Sequence, residues 1–247
     1  MARARPAPIP RPRVVAMPVA FNEVRAIGAV LDRFQAVKHA DVAVIDDGST
    51  DGTGDVARAR GVTVVARPRR GGVGAAIRSG YAWARDRGYD IGVIMSGNDK
   101  DRPDELQLLV DPIASGEADL VQGSRYLRGG QYQGMPRHRR VASRYLHPWL
   151  CSLAARQRLT DTTNGYRALR LSVLGDPRLR LDRPWLDAYE LEPYLLLTAI
   201  RLGYVVREVP VSKVYPPPGR PYTKMRPLTD WWSILRPVVL LGLGLRR

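Results

Sequence analysis

Two adjacent carboxylates, Asp46 and Asp47, end the apolar run Val42-Ala43-Val44-Ile45 and are followed by Gly48-Ser49-Thr50-Asp51. The β-branched run is short and suits a buried parallel strand. Gly48 permits a sharp turn, Ser49, Thr50 and Asp51 are good helix N-caps, and a helical pattern starts at Val56. A strand that ends in acids and opens into a helix is a ligand-binding edge, because ligands of open α/β sheets settle outside the carboxyl ends of the strands. A carboxylate there can accept a hydrogen bond from the ring N–H of a uracil or guanine; the competing reading leaves one acid as a helix cap and the other in solvent. A second acidic stretch reads Ser96-Gly97-Asn98-Asp99-Lys100-Asp101-Arg102-Pro103. Asp99 and Asp101, two residues apart on a loop, can hold one hard cation that keeps waters and phosphates as its other ligands. Alternatively Lys100 neutralises phosphate charge, or the loop is solvated and caps the next helix. Further along, Arg125 and Arg140 offer guanidinium forks that bind phosphate in two places and never lose their charge, against a plain reading as basic surface.

The surrounding elements must position these groups. Residues 14–19 form an apolar run, followed by Val24, Ile27, Val30, Leu31 and Phe34 at helical spacing. Strands are expected at 42–46, 62–66, 90–95 and 119–121, with helices between them; Pro103 suits the first turn of one. This alternation predicts a doubly wound, mostly parallel sheet flanked by helices. Gly71-Gly72-Val73-Gly74 lacks the Lys-Ser/Thr of a P-loop, so its glycines read as close backbone approach at a helix start. Arg67 and Arg70 precede it, near a bound base or diphosphate or on solvated surface. Residues 125–144 read as a mobile basic loop leading to a helix over 142–159, then a polar turn over 161–167, a helix over 190–202 and a strand over 204–211.

At 247 residues the chain fits one large domain. Lys and Arg number 39 against 24 Asp and Glu, a formal charge of +15, which favours anionic partners such as phosphates or an acidic membrane surface. Cys151 is the single cysteine and His39, His138 and His147 are scattered, so no disulfide or zinc spacing is present and a reducing compartment is expected. Three segments result: a disordered basic arm over 1–13, the α/β domain over 14–215, and a Pro-rich linker with a tail over 216–247. The apolar stretch from Trp231 to Leu245 is too short for a bilayer that needs about 20 residues. It either lies in the membrane interface with Trp231 and Trp232 at headgroup depth or packs back on the domain. A basic nucleic-acid-binding module is the remote alternative; two Phe, no recognition motif and acids at the strand ends speak against nucleic acid.

In order, Phe21-Asn22-Glu23, Asp46 to Asp51, Gly71 to Gly80, the acidic loop before Pro103, Gly123-Ser124-Arg125 and Asp161-Thr-Thr-Asn-Gly-Tyr-Arg167 resemble the motifs of family 2 glycosyltransferases of GT-A fold, most closely the polyprenyl-phosphate sugar transferases. The resemblance covers residues 14–211. It implies an inverting enzyme that moves a hexose from a UDP- or GDP-sugar to a polyprenyl phosphate with Mg²⁺ or Mn²⁺ on the diphosphate, at the cytoplasmic face of the membrane. A soluble sugar or natural-product hydroxyl is the alternative acceptor. It further implies nucleotide-sugar contacts at Phe21, Glu23, Asp46, Asp47, Arg70, Gly74, Asn98 and Asp99, and metal ligands at Asp99 and Asp101. Acceptor-phosphate contacts are implied at Arg125, Arg140, Ser143 and Arg167, and catalytic carboxylates at Asp161 and Glu192, with Glu190 and Asp187 competing for the place of Glu192. One departure stands out: counting back from Pro103, Gly97 occupies the place of the first Asp of the family's Asp-X-Asp. A phosphate acceptor is already ionised and needs no strong base, whereas a hydroxyl acceptor does, so the role of Asp161 depends on the acceptor.

Overall fold

The computed structural model describes residues 5–215 and 229–244. Seven strands form one sheet in the order β3-β2-β1-β4-β7-β5-β8. They are β1 (Val14–Ala20), β2 (Asp41–Asp46), β3 (Thr63–Ala66), β4 (Ile91–Ser96), β5 (Leu120–Ser124), β7 (Arg167–Arg170) and β8 (Val206–Pro210). The helices α1 (Val24–Phe34), α2 (Thr53–Arg58) and α4 (Leu106–Ala114) cover one face, and α3 (Val73–Asp86), α6 (His147–Ala155) and α7 (Leu191–Arg201) the other. Along β1 the two-residue period sends Val15 and Met17 to the α3 side and Val14 and Ala16 to the α1 and α4 side, so every position is apolar. On α1, Ile27, Val30, Leu31 and Phe34 are buried at the 3-and-4 spacing of a one-sided helix.

The expected parallel alternation holds from β1 to β5. The polar turn over 161–167 then runs into β7, which lies antiparallel between β4 and β5 with Arg167 opposite both Ile94 and Gln122. This reversal brings residues 161–167 to the carboxyl ends of β4 and β5. The stretch expected as a mobile loop carries β6 (Gln131–Gln133) and α5 (Arg137–Val141). A π-helical turn, Ala142–Leu146, joins α5 to α6. β6 pairs in parallel with β9 (Ser212–Val214), so the chain after β8 returns over the basic segment.

The amino-terminal arm departs from expectation. From residue 5 it is laid on the domain: the Ile9 N–H donates to the Ala114 carbonyl at 2.8 Å, Arg170 donates to the Ala7 carbonyl, and Ile9 packs on the core of the α4 face. Its prolines hold it extended, so little chain entropy is lost on docking. Of the tail, α8 (Thr229–Gly242) is described and packs against α6 and α7, burying Val238 and Leu241; the Pro-rich stretch 216–221 lies outside the described residues. No helix among the described residues is long and apolar enough to cross a membrane.

Gly72 and Gly74 start α3 where the 184–190 segment crosses it. Gly72 has φ +100°, and a Cβ on Gly74 would overlap the Leu186 carbonyl oxygen and stand 2.6 Å from that of Ala188. Gly74→Ala is therefore expected to lower stability by about 2 kcal/mol, as overpacked cores do. An unchanged urea midpoint would contradict this packing.

Candidate functional site

Outside the carboxyl ends of β1, β2, β4 and β5 lies a cleft of about 1220 Å³. It brings together Phe21, Glu23, Asp47, Arg70, Asn98, Asp99, Arg125, Ser143, Arg167 and Glu192 among the sequence candidates. Asp46, Gly74, Asp101, Arg140 and Asp161 do not line it.

At one end Asp47 is almost fully buried. Its Oδ1 accepts from the Gly71 N–H at 2.9 Å and its Oδ2 from the Gly72 N–H at 2.8 Å, with Arg67 Nε 3.0 Å away. The carboxylate is thus held rigidly at the wall of the cleft, with acceptor capacity beyond these bonds. Beside it the Arg70 guanidinium lies 4.5 Å from the centre of the Phe21 ring, a flat surface suited to a planar base. Asp46 has the other fate the sequence allowed: its Oδ1 accepts from the Ser49 N–H at 2.9 Å, which shapes the turn. Gly74 is a packing glycine under the 184–190 segment and makes no wall of the cleft.

The 96–103 loop separates the two acids expected to share a cation. Asp99 lines the cleft at φ +59° and pairs with Arg33 of α1 through Nε at 3.0 Å. Asp101 is fully buried away from it: Oδ2 accepts from the Ser96 N–H and hydroxyl, and Oδ1 from Lys213 Nζ at 2.6 Å. Asp101 is therefore corrected from metal ligand to the counter-ion of a buried lysine, since a carboxylate taken out of water is stable only when paired. Gly97 also gains a reason. Its N–H donates to the Val19 carbonyl at 2.8 Å, and a Cβ there would lie 2.9 Å from that oxygen and 3.0 Å from the Ala20 Cβ. The close approach of β1 and β4 leaves no room for an aspartate in this backbone. Among the described residues no three His, Cys, Asp or Glu side chains converge on a metal position. A single cation with phosphate and water ligands still fits Asp99, because the neighbouring Asn98 Oδ1 is buried without a hydrogen-bond partner and can serve as a second oxygen.

The other end is basic. Arg125 and Asp161 are buried together: Nε donates to Oδ2 at 2.6 Å and Nη2 to Oδ1 at 2.7 Å, while Nη1 donates to the Tyr215 hydroxyl at 2.7 Å. Asp161 in turn offers its N–H to Glu208 Oε1 at 2.8 Å, and burial pushes the Glu208 carboxyl up. Asp161 therefore fixes Arg125 instead of facing the cleft as a base, and Arg125 spends its fork on Asp161 instead of on an incoming phosphate. Arg167 is likewise held, by Glu192 Oε1 at 3.1 Å and the Glu192 carbonyl at 3.0 Å, so Glu192 lines the cleft as half of an ion pair.

Sequence reasoning chose Arg140 where the helix presents Arg139. Arg139 shares a face with Ser143, whose hydroxyl donates to the Arg139 carbonyl at 2.7 Å, and the four-residue spacing was the available signal. Lys213, Tyr215 and Tyr189 line the same end and were not singled out. Lys213 meets Asp101 across 112 positions of chain, which no local pattern reveals. Lys100, noted as an alternative cation, stands over the Tyr215 ring in this end. Burial first, then the charges of Lys213 and Arg139, pull its ammonium down to about 7.

Lys100 therefore gives up its proton more readily than a free lysine, and a bound anion favours its charged form. Binding of sulfate, which carries no titratable proton at pH 8, is expected to take up a proton, seen as a calorimetric heat that depends on the buffer's ionisation enthalpy, and Lys100→Met should abolish that dependence. In folding the sign is parallel. Between the folded value near 7 and the unfolded value near 10.5 the unfolded chain binds more protons, so this group's contribution to stability rises with pH across that window. Equal heats in two buffers would remove Lys100 from the anion site.

Residues 15–175 match the model of glycosyl transferase family 2. The chain is 35% identical over 212 residues to undecaprenyl-phosphate mannosyltransferase of Micrococcus luteus, covering 82% of this chain and 84% of that one. It is 33% identical over 212 residues to polyprenol monophosphomannose synthase of Mycolicibacterium smegmatis, covering 82% and 78%. Among solved structures, glucosyl-3-phosphoglycerate synthase of Mycobacterium tuberculosis in complex with Mn²⁺, UDP and glucosyl-3-phosphoglycerate superposes with a TM-score of 0.65 at 25% identity, covering 94% of this chain and 79% of that one. The strand-end cleft, the GT-A-like α/β sheet around it and the extent of these matches lead to one conclusion: the chain is a glycosyltransferase and belongs to glycosyl transferase family 2.

Proposed function

We propose that the protein transfers a hexose from a UDP- or GDP-sugar to a polyprenyl phosphate with inversion at the anomeric carbon. The observation that carries this reading is the polarity of the strand-end cleft. A carboxylate and a flat aromatic-guanidinium surface at Asp47, Phe21 and Arg70 face a cationic end at Lys100, Arg139 and Lys213. A nucleoside diphosphate sugar has the matching order of base, diphosphate and sugar. The two relatives named for mannose transfer to polyprenyl phosphates support the acceptor and make mannose the first sugar to test.

In this reading Asp47, Glu23, Phe21 and Arg70 bind the nucleoside, and Asn98 and Asp99 reach the ribose and diphosphate. A divalent cation, Mg²⁺ or Mn²⁺, would be held by Asp99 with Asn98 and would supply counter-charge to the diphosphate; Mn²⁺ in the solved relative supports it. Lys100 and Arg139 stabilise negative charge as it grows on the departing diphosphate or sits on the acceptor phosphate. The acceptor phosphate oxygen attacks the anomeric carbon opposite the diphosphate. The new C–O bond forms as the old one breaks, and the electron pair of the old bond stays on the diphosphate. Neither Asp161 nor Glu192 is required as a base, because the phosphate arrives ionised and both carboxylates are engaged by arginines. Arg125 and Arg167 act as positioning residues for the 161–167 turn.

Isothermal titration with UDP and with GDP, each with Mn²⁺ and again with EDTA, tests the donor half. One nucleotide is expected to bind more tightly with Mn²⁺, and Asp99→Asn to weaken that binding by about tenfold, or about 1.4 kcal/mol. Failure of both nucleotides to bind under either condition would overturn the reading; binding indifferent to EDTA would retain the transferase and leave the diphosphate to Lys100 and the arginines.

A further inference from the structure

From Leu120 to Thr160 the chain carries eight arginines and no carboxylate. The same segment carries most of the exposed large apolar side chains among the described residues. Val141, Tyr145, Leu146, Trp149 and Leu153 are 51 to 62% exposed. Four of these recur at four-residue steps, so α5, the π turn and α6 present one outward apolar stripe. On α8 and in the turn after it, Trp232, Val239 and Leu243 are 39 to 69% exposed; elsewhere among the described residues only Leu108 is comparable. α6 and α8 pack on each other, with Gly242 against Ala154. A shallow groove of about 700 Å³ runs between Arg144, Trp149, Leu153, Arg156 and Arg158, placing guanidinium groups directly beside the apolar stripe.

We infer that this face, formed by α5 through α6 together with α8, docks on an anionic bilayer. Tryptophan and tyrosine favour headgroup depth, and each arginine near an anionic surface adds to the attraction. The all-positive rim selects an anionic lipid surface over a second copy of this chain, whose identical face would bring like charges together. The docking face and the cleft are two sides of the same helices. His138, Arg139 and Ser143 point into the cleft from α5 and the π turn, and Trp231 and Ile234 from α8. His147 joins them: Nδ1 lies 2.6 Å from the Thr162 hydroxyl of the cleft turn and Nε2 3.3 Å from the Ile234 carbonyl of α8. Docking therefore sets the basic end of the cleft at the depth of lipid phosphates. This last step rests on the polyprenyl phosphate acceptor proposed above; the docking itself does not.

The test is flotation of the full chain with vesicles of phosphatidylcholine alone and of phosphatidylcholine with phosphatidylglycerol. The chain is expected to float with the anionic vesicles and to be released by salt. The triple variant Tyr145→Ser, Trp149→Ser, Leu153→Ser and the pair Arg156→Gln, Arg158→Gln should each lose at least about tenfold in partitioning. These positions are exposed, so an unchanged melting temperature and unchanged nucleotide affinity would show that the fold and donor site survive. Flotation of the triple variant equal to that of the parent, or no flotation of the parent, would overturn the inference. So would a concentration-dependent dimer abolished by the same triple variant without vesicle binding. Failure of the donor reading would appear only in the nucleotide titration, leaving the flotation result to stand alone.

Discussion

The buried fork between Arg125 and Asp161 is the constraint on which the rest of the site depends. It joins the end of β5 to the turn that leads into β7, and through Tyr215 it gathers the chain that follows β9. Removing one partner of such a pair strands a charge in a low-dielectric interior, at a cost of about 3–5 kcal/mol, so the pair is held as a unit. Glu208 completes it by accepting the N–H groups of Thr160 and Asp161. With this turn fixed, β7 can lie antiparallel in the middle of the sheet and Arg167 can reach Glu192.

A second buried pair, Asp101 with Lys213, has a chemical consequence in the cleft. It withdraws an acid from the 96–103 loop and brings a second lysine close to Lys100. The two acids of the loop look alike in sequence, whereas in three dimensions Asp101 is neutralised by Lys213 and Asp99 lines the cleft beside Lys100. Close contact between β1 and β4 at Gly97 likewise disfavours a carboxylate at that position of the loop.

Local physics made much of this visible beforehand. Apolar runs alternating with helical spacing gave the parallel half of the sheet, and acids at strand ends marked the cleft from Asp47 to Asp99. What escaped was non-local. β7 is four residues long and its burial is imposed by the strands on either side, so its sequence looks like the tail of a turn. Asp99 and Asp101 look equivalent in sequence, yet one meets Arg33 and the other Lys213. Asp161 and Arg125 were both identified as site candidates, but their mutual pairing, which changes the role of each, is a fact of tertiary structure. Nor does the composition of the amino-terminal arm reveal that Ile9, within its described part, finds a place on the core beside Ala114.

The most direct test of the central claim is transfer itself. Purified protein would be incubated with radiolabelled UDP- and GDP-hexoses, with and without a polyprenyl phosphate in detergent, and the label followed into the organic phase. The account predicts that one donor gives an acid-labile glycosyl phosphate lipid whose anomeric configuration is opposite to that of the donor, formed only when the lipid phosphate is present. Label that remains in water with every donor tried, or a lipid product of retained configuration, would contradict it.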